Sequence, residues 1–148
     1  MPCLIVACGN PDRGDDAAGP LVADRLRSLG IPAEKRTGEG LDLLESWTAA
    51  ERVIIVDAVV TGAPAGTISV WDAHRAPVVR DLFRASTHAF GVAEAVELGR
   101  ALGRLPKSLT IYGIEAAQFE PGSPPSPPVL AAVEQLASRI AQSLEVDT

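Results

Sequence analysis

The stretch RVIIVDAVV, Arg52 to Val60, decides the fold. Its apolar residues, nearly all branched, run unbroken from Val53 to Val56 and resume after a single aspartate. A strand with one wet face alternates apolar and polar residues, whereas an unbroken run needs cover on both faces, as in the parallel sheet of an α/β protein. We therefore place a strand over Val53 to Ala58. The same reading gives strands over Cys3 to Ala7, Thr67 to Trp71 and Ser108 to Ile114, with a short one near Ala33 to Arg36. The fold class is α/β, in a single domain spanning residues 1–148.

Amphipathic stretches lie between these runs. Val22, Leu26 and Leu29 stripe a helix over Ala17 to Leu29, with Gly30 as its stop signal. Pro20 belongs in a first turn, so this helix either begins near Gly19 or starts with a distorted turn around Asp16. A short helix is expected over Leu41 to Ala49 and another over Gly91 to Leu102. The last runs from Pro127 to about Leu144, with Ser126 as its cap and Val129, Val133, Leu136, Ile140 and Leu144 on its apolar face. EPGSPPSPP, Glu120 to Pro128, has a linker's composition but precedes only one helix, and reads as a stiff loop.

The 13 basic and 19 acidic residues leave a net charge of -6, which disfavours nucleic acid and anionic membrane surfaces as partners. No apolar run approaches the roughly 20 residues of a membrane span, and the start lacks a signal peptide's layout, so a cytoplasmic location is expected. Cys3 and Cys8 would lie on opposite faces of one strand, roughly 16 Å apart, too far to bridge. Cys8 reads as a buried strand residue.

GNPDRGDDAAG, Gly9 to Gly19, follows the first strand and places Asp15 and Asp16 at a strand-to-helix turn. Its glycine spacing imitates a phosphate loop, yet the required Lys and Ser/Thr are replaced by two acids that would repel phosphate. Pro11 stands where a dinucleotide turn needs its second glycine. Two acids there suit a cation instead.

Ligands of an open α/β sheet collect at the carboxyl ends of the strands, beside a switch in strand order. Three residues can converge on that edge. Asp16 follows the first strand, Asp57 interrupts VIIVDAVV, and His88 in STHAFG precedes the third helix. A carboxylate amid branched apolar residues is costly unless paired, hydrogen-bonded or metal-bound. Each residue also has a structural reading: helix capping for Asp16 and, still better, for Asp15; loop N–H groups for Asp57; capping or core packing for His88. His74 reads as a solvated loop residue, Trp47 and Trp71 as packing residues, and Gly9 and Asn10 as turn shapers, since both tolerate left-handed backbone conformations. Together Asp16, Asp57 and His88 form an O/O/N set suited to Ni²⁺ or Zn²⁺ with open positions. Two carboxylates about 4 Å apart repel by about 4 kcal/mol at a surface-like dielectric, which a proton, an imidazolium or a cation relieves.

At these residues the chain resembles the hydrogenase maturation endopeptidases, which process the large subunit of nickel-iron hydrogenases. GNPDRGDDAAG is similar to the family's N-terminal acidic motif, VIIVDAV to its central strand, STHAFG to its histidine segment and IEAAQFEPGSPPSPPVLAAV to its tail. The resemblance implies an α/β/α sandwich around a twisted, mostly parallel five-stranded sheet. It also implies that Asp16, Asp57 and His88 are the catalytic, metal-contacting residues. Some members carry Glu in place of Asp16, and the missing methylene shortens reach by about 1.5 Å. RTGEG, Arg36 to Gly40, departs from the family's usual pattern in a region tied to substrate choice.

The expected activity is removal of a C-terminal extension from a hydrogenase large-subunit precursor after nickel insertion. The nickel is supplied by the substrate, no organic cofactor is used, and the enzyme is a monomer. Two alternatives are a hydrolase holding its own Zn²⁺ on the same three residues, and a non-enzymatic α/β module that binds a small molecule.

Overall fold

A computed structural model describes residues 3–78 and 91–146. In chain order these form β1 (Cys3–Cys8), a 3₁₀ turn (Gly14–Ala17), α1 (Ala18–Ser28), β2 (Glu34–Arg36), α2 (Gly40–Ser46), β3 (Arg52–Val59), β4 (Ile68–Asp72), α3 (Val92–Ala101), β5 (Ser108–Glu115) and α4 (Pro127–Val146). The five strands make one sheet in the order β2-β1-β3-β5-β4. Neighbours are parallel from β2 through β5, and only β4 runs antiparallel to its partner.

The unbroken apolar runs are the central strands, with β3 held between β1 and β5. Residues 53–59 of β3 are buried on both faces. Ile54 and Val56 pack with Ile5, Ala7, Tyr112 and Ile114 beneath α1 and α4, where Leu26, Leu136 and Ile140 close the core. Val53, Ile55 and Val59 pack with Val6, Leu109 and Ile111 on the other face, under Leu43, Leu44 and Trp47 of the α2 region and Val96 of α3. This is the expected three-layer α/β/α sandwich. Cys3 and Cys8 join opposite cores, as their spacing requires. No helix among the described residues is long and apolar enough to cross a membrane.

Three local features differ from the sequence reading. The approach to α1 combines both expected alternatives: a 3₁₀ turn holds Asp15 and Asp16, and α1 then starts at Ala18 with Pro20 in its first turn. Helix α2 ends at Ser46 rather than Ala49, and its start is fixed by Glu39, whose carboxylate accepts the Leu41 and Asp42 N–H groups at 3.0 and 2.8 Å. Ser126 occupies the turn before α4, where its carbonyl accepts from Val129 and Leu130. Its hydroxyl does not cap the helix but donates to Asp15 at 2.9 Å.

The chain leaves β1 over one face through α1, returns from β2 over the other through α2, and enters β3. The connections therefore part company between β1 and β3, at whose carboxyl ends Asp16 and Asp57 lie. Six residues separate the end of α3 from the start of β5, so the α3 N-terminus points back toward that carboxyl edge.

Candidate functional site

The site is built on close backbone approach. Gly9, just past β1, has φ +139°, and a Cβ there would lie 2.1 Å from the Asp16 carbonyl oxygen. Gly19 in the first turn of α1 is as constrained, since its Cβ would come within 2.2 Å of the Cys8 carbonyl. These glycines let the turn bearing Asp16 fold against the end of β1. Asn10 does not adopt the left-handed conformation; among the described residues every positive φ belongs to glycine. Instead its side-chain oxygen accepts the Asp12 N–H at 2.9 Å, and its own N–H donates to Asp16 Oδ2 at 2.9 Å.

Asp15 and Asp16 divide the work. Asp15 is fully buried and caps no helix. Its carboxylate accepts from Ala117 N (2.7 Å), Gln118 N (3.2 Å), Ser126 N (2.6 Å) and Ser126 Oγ (2.9 Å), tying the turn to the proline-rich segment after β5. That segment is thus a fixed wall. The N-cap of α1 is Ala17, with no side-chain capping bond, and Asp16 Oδ2 accepts the Asn10 N–H instead. Asp16 is 5% exposed, with Arg13 Nη1 at 3.9 Å from its Oδ2.

Asp57 lies two residues before the end of β3, opposite Gly113 of β5, and is 4% exposed. Its Oδ1 accepts the Ala58 N–H at 2.9 Å. Burial pushes its carboxyl well above the usual aspartate value, the negative charge of Asp16 adds to the rise, and the Ala58 hydrogen bond offsets part of it. The Cys8 thiol is likewise pushed up, first by burial and then by the charges of Asp57 and Asp16. Such a thiol stays protonated and is no nucleophile. Cys8, Asp16 and Asp57 therefore occupy one electrostatic neighbourhood at the β1/β3 switch.

His88 lies outside the described residues. In sequence it stands three positions before Gly91, whose N–H donates to Glu94 Oε1 at 2.8 Å and opens α3. His74 is not simply solvated, since its Nε2 lies 2.7 Å from the Pro106 carbonyl oxygen. It follows Asp72, which pairs with Thr110 near the start of β5, and so sits at the opposite edge of the sheet from Asp57. Trp47 is buried in the core and Trp71 packs against it. Among the described residues no three His, Cys, Asp or Glu side chains converge to hold a metal.

Two further polar residues at this edge escaped the sequence reading. Glu115, at the end of β5, is 2% exposed and accepts the Thr61 N–H at 2.9 Å, anchoring the connection from β3 to β4. An acid closing the apolar run LTIYGIE is the signal that singled out Asp57. Arg13, beside Asp16, sits over the Phe119 ring with 5.8 Å from Cζ to the ring centroid.

The donor chemistry fits a divalent cation. Two buried carboxylates, one of them made harder to ionise by the other, gain most from a charge that neutralises both.

Comparison with known proteins agrees with this architecture. The hydrogenase 2 maturation protease of Escherichia coli K12 is 29% identical over 153 residues, covering 97% of this chain and 91% of its own. The solved structure of the hydrogenase maturating endopeptidase HybD from E. coli superimposes with a TM-score of 0.81 at 24% identity, over 99% of this chain and 94% of that one. The [NiFe] hydrogenase maturation protease HybD from Thermococcus kodakarensis gives 0.71 at 26% identity, over 97% and 99%. The family model for hydrogenase maturation proteases matches residues 38–143, a span that includes Asp57 and His88 and begins after Asp16. The chain therefore belongs to the hydrogenase maturation protease family.

Proposed function

We propose that this protein is the endopeptidase that removes a C-terminal extension from a nickel-iron hydrogenase large-subunit precursor once nickel is in place. Asp16, Asp57 and His88 contact the nickel carried by that precursor, and the peptidase needs no organic cofactor of its own. It works as a monomer in the cytoplasm. The observation that carries the reading is the pair of buried carboxylates at the β1/β3 switch, within electrostatic reach of each other. Their arrangement is costly for a scaffold and useful for recognising a cation.

The chain's own residues supply an O/O/N set of donors and leave coordination positions for the substrate. Burial and the Asp16 charge raise the Asp57 carboxyl, so protons compete with a cation there more strongly than at an ordinary aspartate. Nickel carried by the substrate would supply Lewis-acid chemistry toward the scissile carbonyl or the attacking water. The wall made by the segment after β5, held by Asp15, fixes the turn that presents Asp16.

The test is incubation with nickel-loaded and nickel-free precursor. Only the loaded form is cut; equal cleavage of both overturns nickel as the recognition signal. Metal analysis of protein purified without added metal separates this reading from a hydrolase with resident Zn²⁺, which requires a stoichiometric ion.

A further inference from the structure

Arg13 is the residue of the acidic motif whose role the cleavage reading leaves unused. Its backbone is fixed at several points: its N–H donates to the Asn10 carbonyl at 3.2 Å, its carbonyl accepts the Asp16 N–H at 3.0 Å, and it bridges to Pro121. Its side chain is 25% exposed, so the charge is brought into a mostly desolvated setting. The guanidinium nitrogen stands 3.9 Å from Asp16 Oδ2, an oxygen that already accepts the Asn10 N–H at 2.9 Å. A tight fork, such as Arg36 makes on Asp42 at 2.8 and 2.9 Å, is not formed here. The Phe119 ring gives the cation a second attractive surface beside the carboxylate.

This geometry has a specific electrostatic consequence. A positive charge 3.9 Å from Asp16 lowers the gain that any free dication finds at the Asp16 and Asp57 pair. A dication held by a docked protein meets the same repulsion with the protein's other contacts to offset it. We propose that Arg13 is a specificity-determining counter-charge, which keeps free divalent cations off Asp16 and yields to a cation delivered within a bound protein substrate. The proposal rests on the reading of Asp16 and Asp57 as cation contacts.

The test is calorimetric titration of the full-length chain with NiCl₂ at neutral pH, without substrate. Arg13→Gln removes the charge and should bind Ni²⁺ about tenfold or more tightly than wild type, while Arg13→Lys keeps the charge and should stay near wild type. Adding Asp16→Asn to Arg13→Gln should abolish the gain. A purely structural role for Arg13 predicts loss of affinity, never a gain that depends on charge. Arg13→Met, which retains an apolar stem against Phe119, carries the same expectation should the Gln variant fold poorly. Affinity in the neutral variants no greater than in wild type, or a gain shared equally by Arg13→Lys, overturns the proposal. If Ni²⁺ binding responds to Asp16→Asn and Asp57→Asn but not to loss of the Arg13 charge, the role of Arg13 alone falls. If it is indifferent to both aspartates, the cation site itself falls.

Discussion

Asp15 grips Ser126 twice, accepting its backbone N–H at Oδ1 (2.6 Å) and its hydroxyl at Oδ2 (2.9 Å), across 111 positions of sequence. The same carboxylate accepts from Ala117 and Gln118. The turn at the first strand and the proline-rich segment before the last helix are thereby one piece. Asp15→Ala strands buried donors and should lower stability by about 3 kcal/mol in urea unfolding, whereas Ser126→Ala removes one bond and should cost about 1 kcal/mol. A double-mutant cycle should show the two sites coupled. If Ser126 served only as a helix cap, the two changes would add.

Asp57→Asn should separate function from stability. The burial and the Asp16 charge that raise the Asp57 pKa favour its protonated form in the fold. A carboxyl raised on folding contributes stability that is full below its unfolded value and is lost as pH rises through its folded value. The neutral asparagine keeps an acceptor for Ala58 N–H and escapes this loss. At pH 8 the variant should therefore be more stable than wild type by on the order of 1 kcal/mol, with the difference shrinking toward pH 4. It should nonetheless fail to process loaded precursor. Thermal unfolding across pH and a cleavage assay on the same preparation measure both; a destabilised but active variant contradicts the site.

His88→Ala should fold with near-wild-type stability and cut loaded precursor at a rate lower by about two orders of magnitude or more. His74→Ala should leave the cleavage rate unchanged, because its ring bonds Pro106 at the far edge of the sheet. Exchange of these two outcomes would place the chemistry elsewhere.

Engagement of loaded precursor should weaken as the solution becomes acidic. Cation contact needs Asp57 ionised and His88 neutral, and protons compete at both. Because the Asp57 carboxyl is raised from 3.8, the loss begins at a higher pH than an ordinary aspartate would allow. Binding measured by fluorescence anisotropy of labelled precursor should show this trend, and affinity that stays flat through the histidine range argues against both contacts.

Periodicity in the chain was enough to determine the layers. Unbroken branched runs such as VIIVDAVV can be satisfied only with both faces covered, and the striped helices between them are what covers them. The same logic exposed Asp57, since a carboxylate inside such a run is conspicuous wherever the strand ends up. Glu115 carried the same signal at the end of a neighbouring run. What periodicity could not assign was the division of labour between Asp15 and Asp16. The two are chemically identical neighbours, and local pattern favoured Asp15 as a helix cap. Its partners, Ala117, Gln118 and Ser126, are brought to it only when β5 pairs with β3 beside β1. The seating of Arg13 over Phe119 and the removal of His74 to the far edge were decided in the same way. Apolar burial is a property of a segment and is written in its local pattern, whereas the partner of a buried polar atom is chosen by tertiary packing.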